Sequence, residues 1–291
     1  MRIAIASGKG GTGKTTVAVN LALCIPGHVR LLDCDVEEPN CHIFLKPDIK
    51  EAHPVTVPVP SVDEDTCTGC GECSAFCEYN AIACVGGCAY PFPELCHGCG
   101  GCMKICPVSA ITEVPRVVGA VEAGVSGDLE FIQGRMNIGQ AMSPPIIRAV
   151  KQYVLPVGTT IIDCPPGTSC PVIEAVRDAD FVLLVTEPTH FGLHDLKLAV
   201  DTIRKLGLPL GVIINRCDIG DARVEEYCTG ERISILLTIP DDLRIAQAYS
   251  RGVPAIRALP ELAVQFEDLY KVITGTICCG EKEQCSSRRC D

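Results

Sequence analysis

Eight cysteines between residues 67 and 106 repeat one spacing, Cys-x-x-Cys-x-x-Cys-x-x-x-Cys, and a proline follows the last of them. The first run is Cys67, Cys70, Cys73 and Cys77, and the second run is Cys96, Cys99, Cys102 and Cys106. Thiolates with two residues between them can converge on one inorganic cluster when glycines let the intervening loop turn tightly. Such glycines stand at Gly69, Gly71, Gly98, Gly100 and Gly101. The pattern therefore indicates two iron–sulfur clusters.

Zinc sites and disulfides are the alternative uses of these cysteines. Zinc sites usually combine Cys-x-x-Cys units from separate loops, whereas here three cysteines follow one another at this spacing and the second run ends in Cys-Pro. Disulfides fit poorly, because the chain starts without a charged and then apolar leader and a cytoplasmic location with reduced thiols is expected.

The cysteine-rich stretch resembles a bacterial-type ferredoxin with two [4Fe–4S] clusters. In that family the fourth cysteine of one run completes the ligand set that the other run begins. The resemblance thus implies one ligand set of Cys67, Cys70, Cys73 and Cys106, and a second of Cys96, Cys99, Cys102 and Cys77. Glu78 departs from the motif, which usually has proline after the fourth cysteine.

A phosphate-binding loop stands near the start of the sequence. The segment Gly8-Lys9-Gly10-Gly11-Thr12-Gly13-Lys14-Thr15 fits G-x-x-x-x-G-K-[ST], and it lies between a short apolar strand and a predicted helix over residues 14–24. In such a loop backbone N–H groups surround the β-phosphate, Lys14 neutralises phosphate oxygens, and the Thr15 hydroxyl can bind Mg²⁺. ATP or ADP with Mg²⁺ is the expected ligand.

Lys9 makes this loop resemble the deviant Walker A loop of the MinD/ParA group of ATPases, which includes nitrogenase iron protein and the Mrp-type iron–sulfur scaffolds. The resemblance covers nearly the whole chain, and it implies a homodimer in which Lys9 reaches the nucleotide of the partner subunit. It also implies that Asp35 orients or deprotonates the attacking water. The alternatives are a surface lysine at position 9 and, for the nearby Asp33, a cap at the end of a strand.

The same resemblance assigns the remaining nucleotide contacts. Asp163 would hold Mg²⁺ through water, Gly167 would present its N–H to the γ-phosphate, and Asn215 and Pro240 would lie at the adenine. The expected ATP and Mg²⁺ site comprises Gly8, Gly10, Gly11, Thr12, Gly13, Lys14, Thr15, Thr16, Asp163, Gly167, Asn215 and Pro240. The expected catalytic residues are Lys9, Lys14, Asp35 and Asp163.

The apolar runs predict the fold that positions these residues. Fully apolar runs at 3–6, 29–32, 160–162, 181–185, 212–214 and 235–239 are typical of buried parallel strands. Helices are predicted near 144–154, 192–206, 242–251 and 260–273. This alternation predicts an α/β fold with a doubly wound, mostly parallel sheet and ligands at the carboxyl ends of its strands. A hairpin over 116–123 and 128–133 is predicted to form an edge of that sheet.

Three units follow from these patterns. A MinD-like ATPase domain is predicted over residues 1–60 and 113–275, interrupted at 61–112 by a small α+β unit like a bacterial ferredoxin, with residues 55–60 as a stiff, extended connection. A cysteine-rich tail is predicted over 276–291, with disorder and metal binding as the two alternatives for it. Its Cys278, Cys279, Cys285 and Cys290 do not match the Cys-x-x-Cys of Mrp-type scaffolds, so metal binding by the tail stays open, as does the role of Cys84 and Cys88.

Charge limits the choice of partner. The chain carries a net charge of −11, and residues 61–112 contain six acidic residues against one lysine. Such a surface should repel nucleic acid and favour basic patches on a protein redox partner. No run of 18 apolar residues is present, and the C-terminal helix lacks a basic amphipathic face, so no membrane anchor is expected.

Three functions remain open at this point. The first is a homodimeric ATP-hydrolysing switch that couples nucleotide state to electron transfer through two clusters, with its ATPase stimulated by a partner. The second is a carrier that assembles iron–sulfur clusters and donates them to an apoprotein. The third is a redox-sensing positioning ATPase.

Overall fold

The computed structural model describes residues 1–140 and 142–287, with side chains described as far as residue 277. Its strands are β1 Arg2–Ala6, β2 Val29–Asp33, β3 Asp48–Val62, β4 Ile82–Val85, β5 Cys88–Pro91, β6 Ile111–Ser126, β7 Leu129–Met136, β8 Thr159–Asp163, β9 Phe181–Thr186, β10 Leu210–Asn215 and β11 Ile235–Ile239. Its α-helices are α1 Lys14–Cys24, α2 Cys41–Leu45, α3 Glu72–Phe76, α4 Gly101–Ile105, α5 Pro144–Lys151, α6 Cys170–Val176, α7 His190–Lys205, α8 Arg223–Gly230, α9 Leu243–Ser250, α10 Ala255–Ala258 and α11 Pro260–Ser287.

Nine of these strands form one sheet in the order β11-β10-β9-β1-β8-β2-β7-β6-β3. The strands from β11 to β7 are parallel to their neighbours. All six apolar runs are strands of this parallel region, so the mostly parallel α/β sheet is confirmed. Successive side chains of β1 point to opposite faces of the sheet. Ile3 and Ile5 pack with α1 and α11 on one face, and Ala4 and Ala6 pack with α5, α6 and α7 on the other. Helices thus cover both faces, as a doubly wound fold requires.

The predicted hairpin is present, but it is not the edge of the sheet. Strands β6 and β7 pair antiparallel, and β3 pairs with the outer side of β6 along its whole length. The edge strand β3 contains Pro54, Pro58 and Pro60, which an edge accepts because its outer side needs no N–H donors. Most residues of β3 are exposed, so the strand lacks the continuous apolar run by which the other strands were predicted.

The β3–β6 pair forms a ribbon that projects past the sheet. Gly119 of β6 lies opposite Met136, the last residue of β7, and β7 runs parallel to β2. Residues 111–118 therefore extend beyond the carboxyl edge of the sheet, by roughly 26 Å at 3.3 Å per residue. The cysteine-rich segment joins the two strands at the far end of this ribbon, on the same side of the sheet as the phosphate-binding loop.

The cysteine-rich segment contains two short helices, α3 and α4, the hairpin β4–β5 and a 3-10 turn at Pro93–Leu95. The two helices approach closely, since a Cβ added to Gly101 would lie 2.1 Å from Cε1 of Phe76. Asp63 donates its N–H to the carbonyl of Ala110 at 2.8 Å, which closes the segment just outside the last ribbon pair. The ribbon thus holds both ends of the segment together.

Helix α11 continues past residue 273, where the apolar spacing had placed its end. Leu262, Phe266, Leu269 and Ile273 are buried against the sheet, as the spacing predicted. Cys278, Cys279 and Cys285 fall in the part of α11 whose side chains lie outside the description, and Cys290 lies outside the described residues. In the described residues, no helix combines the length and apolar character needed to cross a membrane.

Candidate functional site

The phosphate-binding loop is fixed from both sides. It lies between β1 and α1, and Gly13 adopts the left-handed conformation (φ 97°) just before the helix begins. The side-chain amide of Asn215, at the end of β10, donates to the carbonyl oxygen of Thr12 at 2.9 Å. A Cβ on Gly13 would lie 2.4 Å from that amide, and a Cβ on Gly8 would lie 2.2 Å from the carbonyl oxygen of Asp195. Both glycines are therefore required by close packing.

Lys14, Thr15 and Asp163 form a buried polar group beneath the loop. The Thr15 hydroxyl donates to Oδ2 of Asp163 at 2.7 Å, and Lys14 is only 6% exposed. The other carboxylate oxygen, Oδ1 of Asp163, is buried without a hydrogen-bond partner. A buried acceptor without a donor normally needs a cation or water. The Thr15 hydroxyl and the Asp163 carboxylate are thus a donor set that fits Mg²⁺.

Asp33 organises the loop that follows β2. Its carboxylate accepts N–H groups from Asp35, Asn40 and Cys41 at 3.2, 3.1 and 3.0 Å. This is the capping role that was one alternative for it. Cys41 was not anticipated: its thiol donates to Oδ2 of Asp163 at 3.4 Å, and no motif marks it in the sequence.

Burial raises the pKa values of three carboxyl groups at this site, those of Asp33, Asp35 and Asp163. The pKa of Asp35 is raised to about 7, first by burial and then by the nearby Asp163, with Lys14 opposing. Burial also raises the pKa of Asp33, followed by the charge of Asp163, and it raises the pKa of Asp163 itself. Without nucleotide and metal, the site therefore holds protons that an unfolded chain would release.

These shifts predict that the nucleotide-free protein loses stability as the pH rises. The pKa of Asp35 in the folded state, about 7, exceeds its ordinary value of 3.8. Between these values the folded state binds more protons than the unfolded state, so the free energy of unfolding falls with rising pH. The melting temperature should fall from about pH 5.5 to about pH 7.5, and the fall should be smaller in Asp35→Asn. An equal pH dependence in both proteins would contradict this prediction.

Lys9 is held within its own chain. Its ammonium lies 3.6 Å from Oε2 of Glu187, which follows β9, and Oε1 of the same carboxylate accepts from Arg216 at 3.0 Å. Glu187 is nearly buried, whereas the Lys9 side chain is 32% exposed and can leave the pair. The sequence did not single out Glu187, because an isolated acid after a strand carries no motif. Gly167 is also engaged, since its N–H donates to the carbonyl oxygen of Ser7 at 3.0 Å.

A cavity of about 410 Å³ opens at the carboxyl ends of the strands. Its wall brings together the predicted residues Gly10, Gly11, Gly13, Lys14, Thr15, Thr16, Asp35, Asn215 and Pro240. The wall also contains apolar side chains of two helices, Ile245 and Tyr249 of α9 and Leu262 and Phe266 of α11, and three charged residues, Arg216, Asp241 and Asp242. A polar end at the loop and an apolar end at these helices suit a molecule with phosphates and a flat base.

The cysteines form two cages in the inserted segment. Cys77, Cys96, Cys99 and Cys102 line a cavity of about 470 Å³. Cys67, Cys70, Cys73 and Cys106 line a second, nearly closed cavity of about 10 Å³, room for about one water. Each cage therefore combines three cysteines of one run with the fourth cysteine of the other run. The cage that contains Cys67 must widen to admit a cluster. We call the set with Cys67 the first cage and the set with Cys96 the second cage.

Backbone donors point at the cage thiols in matching ways. Cys77 accepts the N–H of Ala81 and Cys106 accepts the N–H of Ala110, both at 3.3 Å. Cys96 accepts from Gly98 at 3.4 Å. Every cysteine whose side chain is described is a free thiol. Donors aimed at sulfur stabilise thiolates, the form in which cysteine binds metals.

The spacing of the thiols separates a zinc ion from a larger cluster. Thiolates about 2.3 Å from a tetrahedral zinc lie about 3.8 Å from one another. Among the side chains described, the one group of three metal-binding residues with ligand atoms within 4.8 Å of each other is Asp33, Cys41 and Asp163. The cage thiols are thus spread more widely than zinc requires, which suits the donor set of a [4Fe–4S] cluster.

Gly69 is predicted to be essential for the first cage. A Cβ at this position would lie 2.3 Å from the carbonyl oxygen of Gly87 in the β4–β5 turn. Gly71 has a similar positive φ but open space around it, so Gly71→Ala adds only the backbone cost of about 1–2 kcal/mol. Gly69→Ala should lose about four of about eight irons per chain, while Gly71→Ala should keep them. Equal iron content in the two purified variants would contradict the role given to this contact.

The chain has recognisable relatives. Residues 3–255 match the family model described as the CobQ/CobB/MinD/ParA nucleotide binding domain. Two uncharacterized proteins of Methanocaldococcus jannaschii are 32% and 34% identical to this chain, over 87% and 93% of its length and 90% and 95% of theirs. The iron-sulfur cluster carrier protein of Pyrococcus horikoshii is 27% identical, over 94% of this chain and 88% of its own.

Solved structures with the same fold include two archaeal proteins. The septum site-determining protein MinD of Pyrococcus horikoshii, complexed with Mg-ADP, has a TM-score of 0.55 and 22% identity, covering 92% of this chain and 93% of its own. The cell division ATPase MinD of Pyrococcus furiosus has a TM-score of 0.57 and 22% identity, covering 94% and 98%. At this identity the likeness establishes the fold alone.

Proposed function

Because this chain belongs to the CobQ/CobB/MinD/ParA nucleotide-binding family, we propose that it is an ATP-hydrolysing homodimeric switch that couples nucleotide state to electron transfer through two [4Fe–4S] clusters. The nucleotide occupies the 410 Å³ cavity, with its phosphates on the loop and its base toward α9 and α11. A cluster held in a cage would accept and release single electrons. The inserted segment supplies the thiols, and the sheet supplies the nucleotide site.

The chemistry at the phosphates would use the residues around the loop. Lys14 would neutralise phosphate oxygens, and Thr15 and Asp163 would hold Mg²⁺, which would supply further positive charge there. Asp35 places the attacking water. Lys9 leaves Glu187 and reaches the nucleotide of the partner subunit, where its charge stabilises the transition state. Gly167 exchanges the carbonyl of Ser7 for a phosphate oxygen.

The observation that carries the coupling is a row of contacts from the loop of Asp35 to the second cage. The carbonyl of Val36, next to Asp35, accepts the N–H of Met136 at 2.9 Å. The next residue, Asn137, donates to the carbonyl of Val118 in the ribbon at 3.0 Å. Two residues earlier in the ribbon, Arg116 donates to the carbonyl of Pro93 at 2.8 Å, three residues before Cys96.

The second cage is also seated on the body of the ATPase. Cys96 packs against the hydrophobic core beneath the sheet, and Pro58, Pro60 and Glu113 of the ribbon line the cage. A shift of the loop around Asp35 with nucleotide state would thus be transmitted to the surroundings of this cage through two backbone hydrogen bonds and the side chain of Arg116. Changes in the environment of a cluster alter its reduction potential.

The test compares midpoint potentials of the clusters in anaerobically purified protein with ATP, with ADP and without nucleotide. We expect about eight irons per chain and a potential that changes with the nucleotide. Arg116→Met should remove most of that change while keeping the iron and the ATPase rate. Lys50→Met is the matched control, because it removes a cation from the opposite end of the same ribbon. Potentials that are identical with and without nucleotide would refute the coupling.

A second candidate function is favoured by the relatives named iron-sulfur cluster carrier proteins. In that function the chain would donate a cluster to an apoprotein, using the tail thiols as the transfer site. Replacing Cys278, Cys279, Cys285 and Cys290 together by serine should then abolish transfer to an apo-ferredoxin acceptor. Unchanged transfer by this variant would remove the tail from the mechanism.

A further inference from the structure

The two cages differ in the number of thiols they contain. Among the side chains that the structure describes, the wall of the second cage contains only the four cysteines already assigned to it. The wall of the first cage contains a fifth, Cys84, beside its own four. The motif spacing places this cysteine in neither run, and the switch proposed above makes no use of it.

Cys84 is held in the cage by the β4–β5 hairpin. It lies opposite Ala89 in the hairpin and two residues after Ile82, so the three side chains share one face. Ile82 and Ala89 are nearly fully buried in the small core of the inserted segment, and Cys84 packs against that core together with Cys67 and Cys106. The hairpin places the half-buried Cys84 in the wall of the cage.

The hairpin is also pressed against the loop that carries the first ligands. The carbonyl of Gly87 approaches Gly69 so closely that no Cβ would fit there. Cys84 is near the third cysteine of that run, since Cys73 and Cys84 line the same cavity and pack in the same small core.

We propose that Cys84 is an alternative ligand of the first cage, able to replace Cys73 in holding a [4Fe–4S] cluster. This inference rests on the clusters of the proposed function. The first cage is then an exchangeable site with five ligand thiols, whereas the second cage is a fixed site with four.

The exchange needs no oxidant or reductant. The bond between iron and the Cys73 sulfur breaks while a bond between iron and the Cys84 sulfur forms. The proton that Cys84 loses on binding passes to the Cys73 thiolate that is released. The net charge of the site and the oxidation state of the iron stay the same, and one thiol simply replaces another.

The test measures iron, sulfide and the EPR signal of the reduced protein in alanine variants, because alanine offers no ligand atom. Cys73→Ala should keep about eight irons per chain, since Cys84 completes the set. Cys102→Ala is the matched control at the same motif position of the second run, and it should keep about four. The double variant Cys73→Ala with Cys84→Ala should also keep about four, and the signal of its intact second cage shows that the segment has folded.

The outcomes separate this inference from the proposed function. Eight irons in the unchanged protein but about four in Cys73→Ala would overturn the role of Cys84 and leave the clusters in place. Fewer than about eight irons in the unchanged protein would overturn the proposed clusters and the inference with them. A double variant that still holds about eight irons would also overturn it, because the first cage would then need neither thiol.

Discussion

Replacing Asp35 by asparagine should lower kcat for ATP hydrolysis by about 10²–10⁴-fold, the usual contribution of a positioned general base, while ATP affinity changes little. The side chain lines the nucleotide cavity and lies at the start of the loop that Asp33 anchors. Asparagine keeps the shape but cannot accept a proton from water. Steady-state hydrolysis and nucleotide titration of the same preparation test this expectation.

The neighbouring Glu37 supplies the control for that experiment. It is an acid two residues away, but it is exposed and does not line the cavity. Glu37→Gln should therefore hydrolyse ATP at the rate of the unchanged protein. If Glu37→Gln and Asp35→Asn lost activity equally, the effect would reflect the overall charge of the loop and Asp35 would have no specific role.

Replacing Lys9 by alanine should lower hydrolysis by about 10³–10⁵-fold, the range found for a cation supplied in trans to a transferring phosphoryl group. In one chain Lys9 is paired with Glu187 and does not line the nucleotide cavity of its own chain. Its exposure of 32% leaves it free to move to a second subunit. Nucleotide binding by Lys9→Ala should remain, because the phosphate-binding glycines and Lys14 are unchanged.

Mixing the two inactive variants tests whether Lys9 acts across subunits. A heterodimer of Lys9→Ala and Asp35→Asn contains one site with an intact Asp35 and an intact Lys9 from the other chain. An equal mixture should therefore recover roughly a quarter of the original activity, since half of the symmetric dimers are mixed and each has one working site. No recovery, in a mixture shown to contain mixed dimers, would place Lys9 in its own chain's site.

The sequence alone was sufficient for the parallel core. Buried parallel strands are apolar on both faces, so their runs stand out, and β11 begins and ends at the predicted residues. Helix α1 also has its predicted bounds, because the glycines before it and its apolar residues are local signals. Strand β3 was predicted only as an extended connection over residues 55–60, because its first seven residues are exposed and its three prolines are atypical of strands.

The site divides in the same way. The spacing predicted the cage cysteines and the phosphate-binding residues, because most ligands of one small group come from neighbouring turns of the chain. The exchange of the fourth cysteine between the two runs was implied by the resemblance to ferredoxins. Three other features depend on residues far apart in sequence: the pairing of Lys9 with Glu187, the thiol of Cys41 beside Asp163, and the position of Cys84 in the first cage. Contacts of this kind leave no local pattern, and only the packing of strands and hairpins brings their side chains together.

The ribbon gives the clearest case. The sequence determined that a cysteine-rich segment interrupts a nucleotide-binding sheet. The tertiary structure decided that the segment projects on the nucleotide side of the sheet, because the antiparallel register of β6 on β7 sets the direction in which the ribbon extends. Register is a relation between strands that single residues do not encode, so the link from Val36 through Arg116 to the second cage emerges only in the folded protein.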